Sequence, residues 1–477
     1  MTKIRDMIVV LPGITGSVLE KEGKAVWAAS VPALWRGLTT GLGSLGDLAL
    51  AGVDDPDPQA EVLDDGIRAT RLIDDVHIVP GLHKIDGYTG LRHLLTRQFQ
   101  VVEGHLDRDY AANYFEFPYD WRRDNRVSAR RLQQLIGTRL PRWRDFSGNP
   151  AAKTILIAHS MGGLISRYYL EVLGGWRDCK LLVTFGTPYR GSLNMVRNLV
   201  EGIKVGGFKL DALTAVMQSL PSAYQLLPRY PAIYANNQWL RVTETDVIPN
   251  LTPEMAQKGL SFMYEIDAAR ERNEQEADYR QHKYKIVPVV GTDQPTLQSA
   301  RYEAGQVRLS YGAPPVVGDA LSTGDGTVPR ASAVPLELSD EYRESFHPEQ
   351  HSALQSNRDL LSRLAATLAT TQSRLGEVRG GDPVPEPDKA ALALTVEDVV
   401  PAGRPVTLTA ELRHRQAGGD LVLTVTGPSA QTVPIPADDG PQRIDLPPLA
   451  AGAYRVELAV VGGQATPVHD VFAVAEV

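Results

Sequence analysis

Two patterns of hydrophobic and polar positions divide the chain. In residues 1–375, short apolar runs alternate with amphipathic stretches, and the clearest runs are Met7–Leu11, Thr154–Ala158, Leu181–Phe185 and Ile286–Val290. Between these runs, apolar residues recur at helical spacing, as at Leu132, Leu135, Ile136 and Leu140. Strands that alternate with helices predict a mostly parallel sheet covered on both faces, so the expected fold class is α/β.

Residues 389–477 follow another pattern, in which about seven short alternating runs are separated by turns rich in Gly, Pro and Asp. Runs of this kind predict a small immunoglobulin-like β-sandwich. Residues 376–388 contain three Pro and three Gly without apolar periodicity, which is typical of a linker. The sandwich carries no catalytic constellation, and the sequence leaves its partner unknown.

Composition and charge exclude several classes of function. The chain has 477 residues, a net charge of −8 and one cysteine, Cys179. Without a basic surplus we expect no nucleic-acid partner, and one cysteine forms neither an internal disulfide nor a cysteine zinc site. No apolar run is long enough to span a membrane, and the five-residue run Met7–Leu11 is too short for a signal peptide. We therefore expect a cytoplasmic protein, and the excess of Arg over Lys indicates a bacterial source.

The strongest chemical signal is a serine between a strand and a helix. The apolar run that begins at Thr154 leads into Ala158-His-Ser160-Met-Gly162, which precedes a helical pattern. This arrangement is a nucleophile elbow in which Ala158 replaces the usual first glycine. The small residues let the strand and the helix approach closely, and Ser160 lies where the helix N-terminus favours developing negative charge.

The residues alone leave the acid and the base of a triad open. The acid should follow Ser160 in the chain and the base should come last. Asp293 follows a strand directly, and Asp325 lies at the tip of a Gly-flanked turn, with a slight preference for Asp325. The histidines that follow Ser160 in residues 1–375 are His282, His347 and His351. His351 directly precedes the last predicted helix of this region, as a base often does.

Seven motifs in order resemble the lecithin:cholesterol acyltransferase family, which includes enzymes of the lysosomal phospholipase A2 type and belongs to the α/β-hydrolase superfamily. The resemblance covers about 370 residues, and the motifs are Leu11-Pro-Gly-Ile14-Thr-Gly16-Ser17, Phe117-Pro-Tyr-Asp-Trp121-Arg122, Ala158-His-Ser-Met-Gly162, Phe185-Gly-Thr-Pro-Tyr-Arg-Gly-Ser192, Gly291-Thr-Asp-Gln-Pro-Thr296, Gly324-Asp-Gly-Thr-Val328, and Gln350-His351 with Ser356-Asn357.

The resemblance implies roles for specific residues. The family places its catalytic aspartate in the Gly-Asp-x-Thr-Val loop and its histidine in the Gln-His motif, which correspond to Asp325 and His351. It also implies an oxyanion hole formed by the backbone N–H groups of Ile14 and Met161. The chemistry requires no metal and no organic cofactor.

The resemblance further implies an α/β-hydrolase domain over residues 1–375 with a cap at about residues 27–85 and a lid at about residues 193–245. Trp35, Phe208 and Trp121 are the candidate substrate or lid residues, with Trp121 also suited to bracing the wall of the site. Animal members carry disulfides, one of them at the lid, so a lid in this chain must be held by packing and glycine hinges. A transient membrane contact would be apolar, because the net charge offers no attraction to anionic lipid.

The sequence therefore predicts a serine lipid-ester hydrolase or acyltransferase that acts on a lipid ester such as a phospholipid through an acyl-enzyme. Two alternatives remain at this point. One is a carboxylesterase for small soluble esters, which would not prefer aggregated substrate. The other is a binding or scaffold protein that works through its sandwich, which would not react with a fluorophosphonate probe.

Overall fold

The computed structural model describes residues 1–27, 46–74, 76–79, 83–205, 208–318, 323–338, 346–372, 391–413, 420–436, 440–462 and 465–475. The predicted linker at residues 376–388 lies outside this part of the chain, and so does Trp35. Phe208 belongs to the described backbone, but its side chain is outside the described structure.

The strands described between residues 1 and 372 are β1 (Thr2–Lys3), β2 (Met7–Leu11), β3 (Ser17–Lys21), β4 (Lys24–Trp27), β5 (Ile67–Leu72), β6 (Val76–Val79), β7 (His83–Asp86), β8 (Phe99–Gln100), β9 (Glu103–Gly104), β10 (Tyr114–Glu116), β11 (Thr154–His159), β12 (Cys179–Phe185), β13 (Lys204–Val205), β14 (Phe208–Lys209), β15 (Ile233–Ala235), β16 (Gln238–Leu240), β17 (Lys285–Gly291), β18 (Ser299–Glu303), β19 (Gln306–Ser310) and β20 (Phe346–His347).

The helices described in the same region are α1 (Thr89–Gln98), α2 (Asn125–Ser147), α3 (Met161–Glu171), α4 (Leu193–Glu201), α5 (Asp211–Gln218), α6 (Pro221–Tyr224), α7 (Pro253–Asn273), α8 (Ala277–His282) and α9 (Arg358–Gln372). The helical spacing that begins at Leu132 belongs to α2. Its N-cap is Asp124, whose side chain accepts a hydrogen bond from the N–H of Arg126, and its C-cap is Gly148 with a φ of 65°. Both ends are therefore capped in the usual way.

A seven-stranded sheet forms the centre of this region, in the order β20-β17-β12-β11-β2-β10-β9. All neighbouring pairs in it are parallel. The central strands β2 and β11 are buried along their whole length, which explains their unbroken apolar sequences. Because parallel strands end at the same edge, the last residues of β2, β11, β12 and β17 lie side by side there.

Successive residues of the central strands point into two different cores. Met7, Val9 and Leu11 of β2 face the core that contains α2 and α3. Ile8 and Val10 face the other core, which contains α1 and α9. This period of two is the expected geometry of a strand, and it places helices on both faces of the sheet.

The predicted lid, residues 193–245, forms α4 to α6 with the hairpin β13-β14 and leads into the sheet β16-β15-β18-β19. The backbone at the start of this segment pairs with residues 226–229, which lie inside its predicted range. The N–H of Ser192 donates to Leu226 O at 2.9 Å, and the N–H of Arg229 donates to Arg190 O at 3.1 Å. The segment between these bonds therefore leaves the body of the protein and returns at one place.

The C-terminal region forms two sheets packed face to face. Its described strands are β21 (Ala391–Val396), β22 (Val399–Pro401), β23 (Val406–Arg413), β24 (Leu421–Thr426), β25 (Gln431–Ile435), β26 (Gln442–Leu446), β27 (Gly452–Val460) and β28 (Val468–Ala475). The sheet orders are β21-β23-β26 and β22-β28-β27-β24-β25. Alternate residues of β23 enter a core that includes Leu408, Tyr454 and Phe472, as in a β-sandwich.

The predicted fold class is confirmed: an α/β-hydrolase-type parallel sheet with inserted segments precedes an all-β sandwich. The exact domain boundaries stay a prediction. Within the described part of the chain, we find no helix that combines the length and the apolar character needed to cross a membrane.

His347, in β20, leads to a prediction about acid stability. Burial, with a smaller contribution from the charge of Arg363, lowers the pKa of His347 to about 4. In the unfolded chain a histidine has a pKa of about 6.5, so only the unfolded state takes up a proton as the pH falls below that value. His347 therefore contributes stability that is present above pH about 6.5 and is lost as the pH falls towards about 4.

We expect His347→Gln to lose part of this pH dependence. In urea denaturation at pH 7 and pH 4.5, the free energy of unfolding should fall less for the variant than for the wild type. Burial lowers the pKa of His159 as well, but His159 is present in both proteins and its effect cancels. A difference between the two proteins that does not change with pH would contradict the prediction.

Candidate active site

Ser160 occupies a strained turn between β11 and α3. Its φ of 49° and ψ of −123° lie in a region that residues with side chains rarely adopt. The turn is bonded to the neighbouring strand β12, because the N–H of Ser160 donates to Phe185 O at 2.8 Å. The hydroxyl of Thr187 donates to Ser160 O at 2.9 Å. These bonds fix the serine at the edge where the parallel strands end.

The elbow depends on glycines that allow close approach. A Cβ atom on Gly162 would lie 2.4 Å from Pro12 O, and one on Gly163 would lie 2.0 Å from Thr187 Oγ1. Neither distance is tolerated between non-bonded atoms, so only glycine fits at either position. Met161 is the first residue of α3, and its N–H is therefore among the helix N–H groups without an intrahelical acceptor.

Asp325 and His351 meet beside this elbow. His351 Nδ1 lies 2.7 Å from Asp325 Oδ2, and both side chains are buried. The other carboxylate oxygen of Asp325 accepts from the N–H groups of Thr327 at 3.0 Å and Val328 at 2.7 Å. The N–H of His351 also donates to Asp325 O at 2.8 Å. The aspartate is thus oriented by its own turn, and the imidazole Nδ1 carries the proton that it donates.

The competing residues have other partners. The Asp293 carboxylate accepts from the hydroxyl of the preceding Thr292 at 2.7 Å. His282 lies on α8 and contacts Asp278 one turn earlier, in an exposed position. His347 is paired through β20 with Gly291. Among the three histidines and two aspartates that the sequence left open, Asp325 and His351 are the pair that the fold brings together.

The loop that follows β2 is held by hydrogen bonds from aromatic side chains. The hydroxyl of Tyr119 donates to Pro12 O at 2.8 Å. Trp27 Nε1 donates to Thr15 O at 3.1 Å. Trp121 Nε1 donates to Ser17 O at 3.1 Å. The loop around Ile14 is therefore braced on both sides.

Tyr88 and His159 connect this loop to His351. The N–H of Gly13 donates to Tyr88 Oη at 2.8 Å, and Tyr88 Oη lies 2.9 Å from His159 Nδ1. His159 Nε2 lies 3.2 Å from His351 O. A carbonyl oxygen can only accept, so Nε2 carries the proton. Burial lowers the pKa of His159 well below its usual value, so the ring is neutral and its Nδ1 accepts from the tyrosine hydroxyl.

A pocket opens next to Ser160. Its empty volume is about 450 Å³, part of it open to solvent, and its walls are mainly apolar. It is lined by Ile14, Ser160, Pro188, Ser192, Asn194, Met195, Ala223, Leu226, Thr327 and Val328. The loop after β2, the elbow, the turn of Asp325 and the predicted lid thus all contribute to one cavity.

Of the three expected substrate or lid residues, Trp121 alone has a described side chain. It is fully buried, packs against Trp27 with ring centroids 4.8 Å apart, and does not line the pocket. Its described contacts are those of a residue that braces the loop after β2. Trp35 and the Phe208 side chain lie outside the described residues.

The described residues contain no group of three or more His, Cys, Asp or Glu side chains arranged to hold a metal ion. Cys179 is buried in β12, and burial raises the pKa of its thiol to about 12. A thiol with so high a pKa is a poor nucleophile at neutral pH.

Sequence reasoning missed three residues that support the site: Tyr88, Tyr119 and His159. Tyr119 and His159 stand inside motifs that were recognised, so their position was a usable signal. Tyr88 lies 75 residues from Gly13 in the chain, and no local pattern marks it.

The bond from Tyr119 to Pro12 O gives a stability prediction. Tyr119→Phe removes the donor and leaves a buried carbonyl group without it, which should lower the free energy of unfolding by about 1–3 kcal/mol. Tyr110→Phe is the matched control, because the hydroxyl of Tyr110 also donates to a backbone carbonyl, that of Glu103, in an exposed position. Urea denaturation of both variants checks the prediction, and equal losses would contradict it.

Comparisons with known proteins were made for the sequence and for the fold. A comparison with curated proteins finds no match. The chain is similar to a Bacillus licheniformis lipase, BlEst2, solved in its propeptide form, at 12% identity and a TM-score of 0.30, over 98% of this chain and 92% of that one. It is also similar to a CARDB domain from Pyrococcus furiosus, solved with di-metal ions, at 15% identity and a TM-score of 0.14, over 18% of this chain and 87% of that one. At these scores neither structure bears on function.

One family model matches the chain, that of lecithin:cholesterol acyltransferase, over residues 81–303. The match covers a little under half of the chain. It includes the motif Phe117–Arg122 and the elbow at Ser160, while Ile14, Asp325 and His351 lie beyond it. The predicted resemblance is thereby confirmed, and over residues 81–303 the chain is similar to the lecithin:cholesterol acyltransferase family.

Proposed function

We propose that the protein is a serine lipid-ester hydrolase or acyltransferase of the phospholipase A type. Ser160 is the nucleophile, His351 the general base and Asp325 the residue that orients it. The observation that carries the proposal is the 2.7 Å contact of His351 Nδ1 with Asp325 Oδ2, which lies beside the elbow. The family match over residues 81–303 supports a lipid hydrolase or acyltransferase independently.

The proposed reaction starts with proton transfer from Ser160 Oγ to His351 Nε2 as the oxygen attacks the acyl carbonyl. Asp325 stabilises the imidazolium that forms, because its carboxylate accepts the Nδ1 proton. His351 then returns the proton to the departing alcohol, and an acyl-Ser160 intermediate remains. Water or an acceptor alcohol removes the acyl group by the reverse sequence, with His351 as the base again.

The tetrahedral intermediate places negative charge on the former carbonyl oxygen. We assign its stabilisation to the backbone N–H groups of Ile14 and Met161. Support comes from Ile14 and Ser160 lining the same pocket and from Met161 being the first residue of α3. A helix N-terminus favours negative charge, and backbone N–H groups held in place lose little energy on reorganisation.

We propose the pocket as the site of the acyl chain. Pro188, Met195, Ala223, Leu226 and Val328 give it an apolar lining, which suits a hydrocarbon chain. Four of the lining residues, from Asn194 to Leu226, belong to the predicted lid. A substrate in a lipid aggregate must pass that lid, so we expect contact with the lipid surface to be transient and apolar, in keeping with a net charge of −8.

The triad assignment predicts that substitutions of Asp325 and His351 lower activity far more than substitutions of Asp293 and His347. Ser160→Ala should abolish ester hydrolysis and labelling by a fluorophosphonate probe. Asp325→Asn should lower kcat by about 10³-fold or more, since the imidazole loses the acceptor that fixes its tautomer. Asp293→Asn and His347→Ala are the controls and should keep most of the activity, whereas His351→Ala should not. Persistent labelling of Ser160→Ala would refute the nucleophile, and a greater loss in Asp293→Asn would reassign the acid.

The pocket assignment predicts a dependence on acyl-chain length. Leu226→Ala removes apolar surface from the pocket wall and should lower kcat/KM for a decanoate ester by about tenfold, while hydrolysis of the acetate ester changes little. Phe146→Ala removes an exposed apolar side chain on α2 and serves as the control. Rates for p-nitrophenyl esters from acetate to decanoate test the prediction. An equal loss on all chain lengths would place the acyl chain elsewhere.

A further inference from the structure

The sandwich contacts the loops that carry Asp325 and His351. One of its sheets has β21 at the edge, paired only with β23 among the described strands. In an antiparallel strand, the N–H and C=O groups of alternate residues point to the same side. Leu392 and Leu394 therefore present theirs away from β23, where an unpaired strand edge would otherwise be open.

Two glutamine side chains occupy this edge in place of a strand. Gln294 Nε2 donates to Leu392 O at 2.9 Å, and Gln294 Oε1 accepts from the N–H of Leu394 at 3.2 Å. Gln350 Nε2 donates to Leu394 O and, at 3.0 Å, to Gln294 Oε1. A side-chain amide has the donor and acceptor of a peptide group, so the pair extends the ladder of β21.

Both glutamines also belong to the candidate site. Gln350 immediately precedes His351. The N–H of Gln294 donates to Gly324 O at 3.0 Å, next to Asp325. The turn of Asp325 is fixed further by the N–H of Gly326, which donates to Thr296 Oγ1 at 2.8 Å. Gln294 thus joins the edge of the sandwich to the acid turn, residues 324–328, and Gln350 joins it to the base loop, residues 348–352.

A second strand of the sandwich, β28, holds the same loop at two further points. Glu349 is buried. Its Oε1 accepts from the backbone N–H of His469 at 2.8 Å, and its Oε2 lies 2.9 Å from His469 Nδ1. Ser352 Oγ donates to Asp470 Oδ1 at 3.1 Å. Asp470 is in turn paired with Lys84 at 2.9 Å. These contacts flank His351 on both sides.

The contact of Glu349 with His469 is an ionic one. His469 Nε2 lies 3.1 Å from Glu457 Oε2, so both ring nitrogens face a carboxylate. Burial acts to lower the pKa of His469, but Glu349 and Glu457 raise it to about 9. At neutral pH the ring is therefore charged, and it donates on both sides.

We propose that the sandwich is a positioning element of the active site, which holds the acid turn and the base loop through Gln294, Gln350 and Glu349. This inference rests on the proposed function of Ser160, Asp325 and His351. Gln350 and Ser352, on either side of His351, bond to groups of the sandwich, and so does Glu349. The backbone of His351 itself bonds to Asp325 O and, through its carbonyl, to His159 Nε2.

The test uses the full chain with Gln350→Ala. This substitution removes the side-chain amide that donates to Leu394 O of β21 and to Gln294 Oε1. Arg443→Ala is the matched control, because Arg443 lies in the sandwich on β26, is largely exposed and contacts Asp445 of its own strand. With p-nitrophenyl butyrate, Gln350→Ala should lower kcat about tenfold or more with KM nearly unchanged, because the residues that line the pocket are left in place. Arg443→Ala should match the wild type.

Two further measurements separate positioning from a general loss of stability. The first is the split between kcat and KM, because a variant that only unfolds more readily keeps the kcat of its folded fraction. Hydrogen exchange of the peptide that contains residues 348–352 should become about tenfold faster or more in this variant, at equal folded fraction, and should stay unchanged in Arg443→Ala.

The outcomes distinguish the two proposals. A wild type that hydrolyses no ester and does not react at Ser160 would refute the proposed function, while the exchange rates would still decide whether the sandwich holds the loop. An active wild type with kcat and exchange unaltered by Gln350→Ala would overturn the positioning role alone. The same holds if activity falls only in proportion to the folded fraction, or if exchange accelerates while kcat stays constant.

Discussion

Close approach of backbone segments at one edge of the central sheet is the constraint on which the candidate site depends. A Cβ atom on Gly162 would lie 2.4 Å from Pro12 O, and one on Gly186 would lie 2.7 Å from His351 Nδ1. A side chain at Gly162 would push the elbow away from the loop after β2, and one at Gly186 would push the end of β12 away from His351. The parallel strands supply the register, because β2, β11 and β12 end side by side. The geometry around Ser160 therefore depends on how closely these backbone segments approach the loop after β2 and the side chain of His351.

Buried hydrogen bonds then select one arrangement of the loops at this edge. Tyr88, Tyr119 and His159 tie the loop after β2 to the elbow and to the backbone of His351. On the other side, Gln294 and Gln350 tie the acid turn and the base loop to the sandwich. An unpaired polar group is costly in a buried setting, so each donor and acceptor disfavours alternative loop positions. The first set includes the backbone of His351 and the second includes the preceding residue, Gln350, so together they connect both regions of the chain to the loop that carries the base.

Local patterns predicted the parts of this structure that neighbouring residues determine. The apolar runs of β2 and β11, the alternation in β23 and the small residues around Ser160 follow from spacing alone, and the fold class came with them. The choice between Asp293 and Asp325 could not be made from residue type, because both occupy turns that an aspartate favours. Gln294 bonds through its side chain to the backbone carbonyl of Leu392, 98 residues away, and no periodicity in the sequence marks this pairing. For the same reason, the docking of the sandwich on the site was not visible in the sequence.

A chain with a single cysteine must hold its predicted lid without a disulfide, and hydrogen bonds join the start of that segment to residues 226–229. Ser192 bonds to Leu226 and Arg190 to Arg229, and the hydroxyl of Ser332 bonds to Gly191 O at 2.5 Å. The helices between these ends are held differently, through buried apolar side chains of α4 and α5. Under the proposed function, moving these helices would cost apolar contacts that a lipid surface can replace and water cannot, while the hydrogen bonds between residues 190–192 and 226–229 would stay intact.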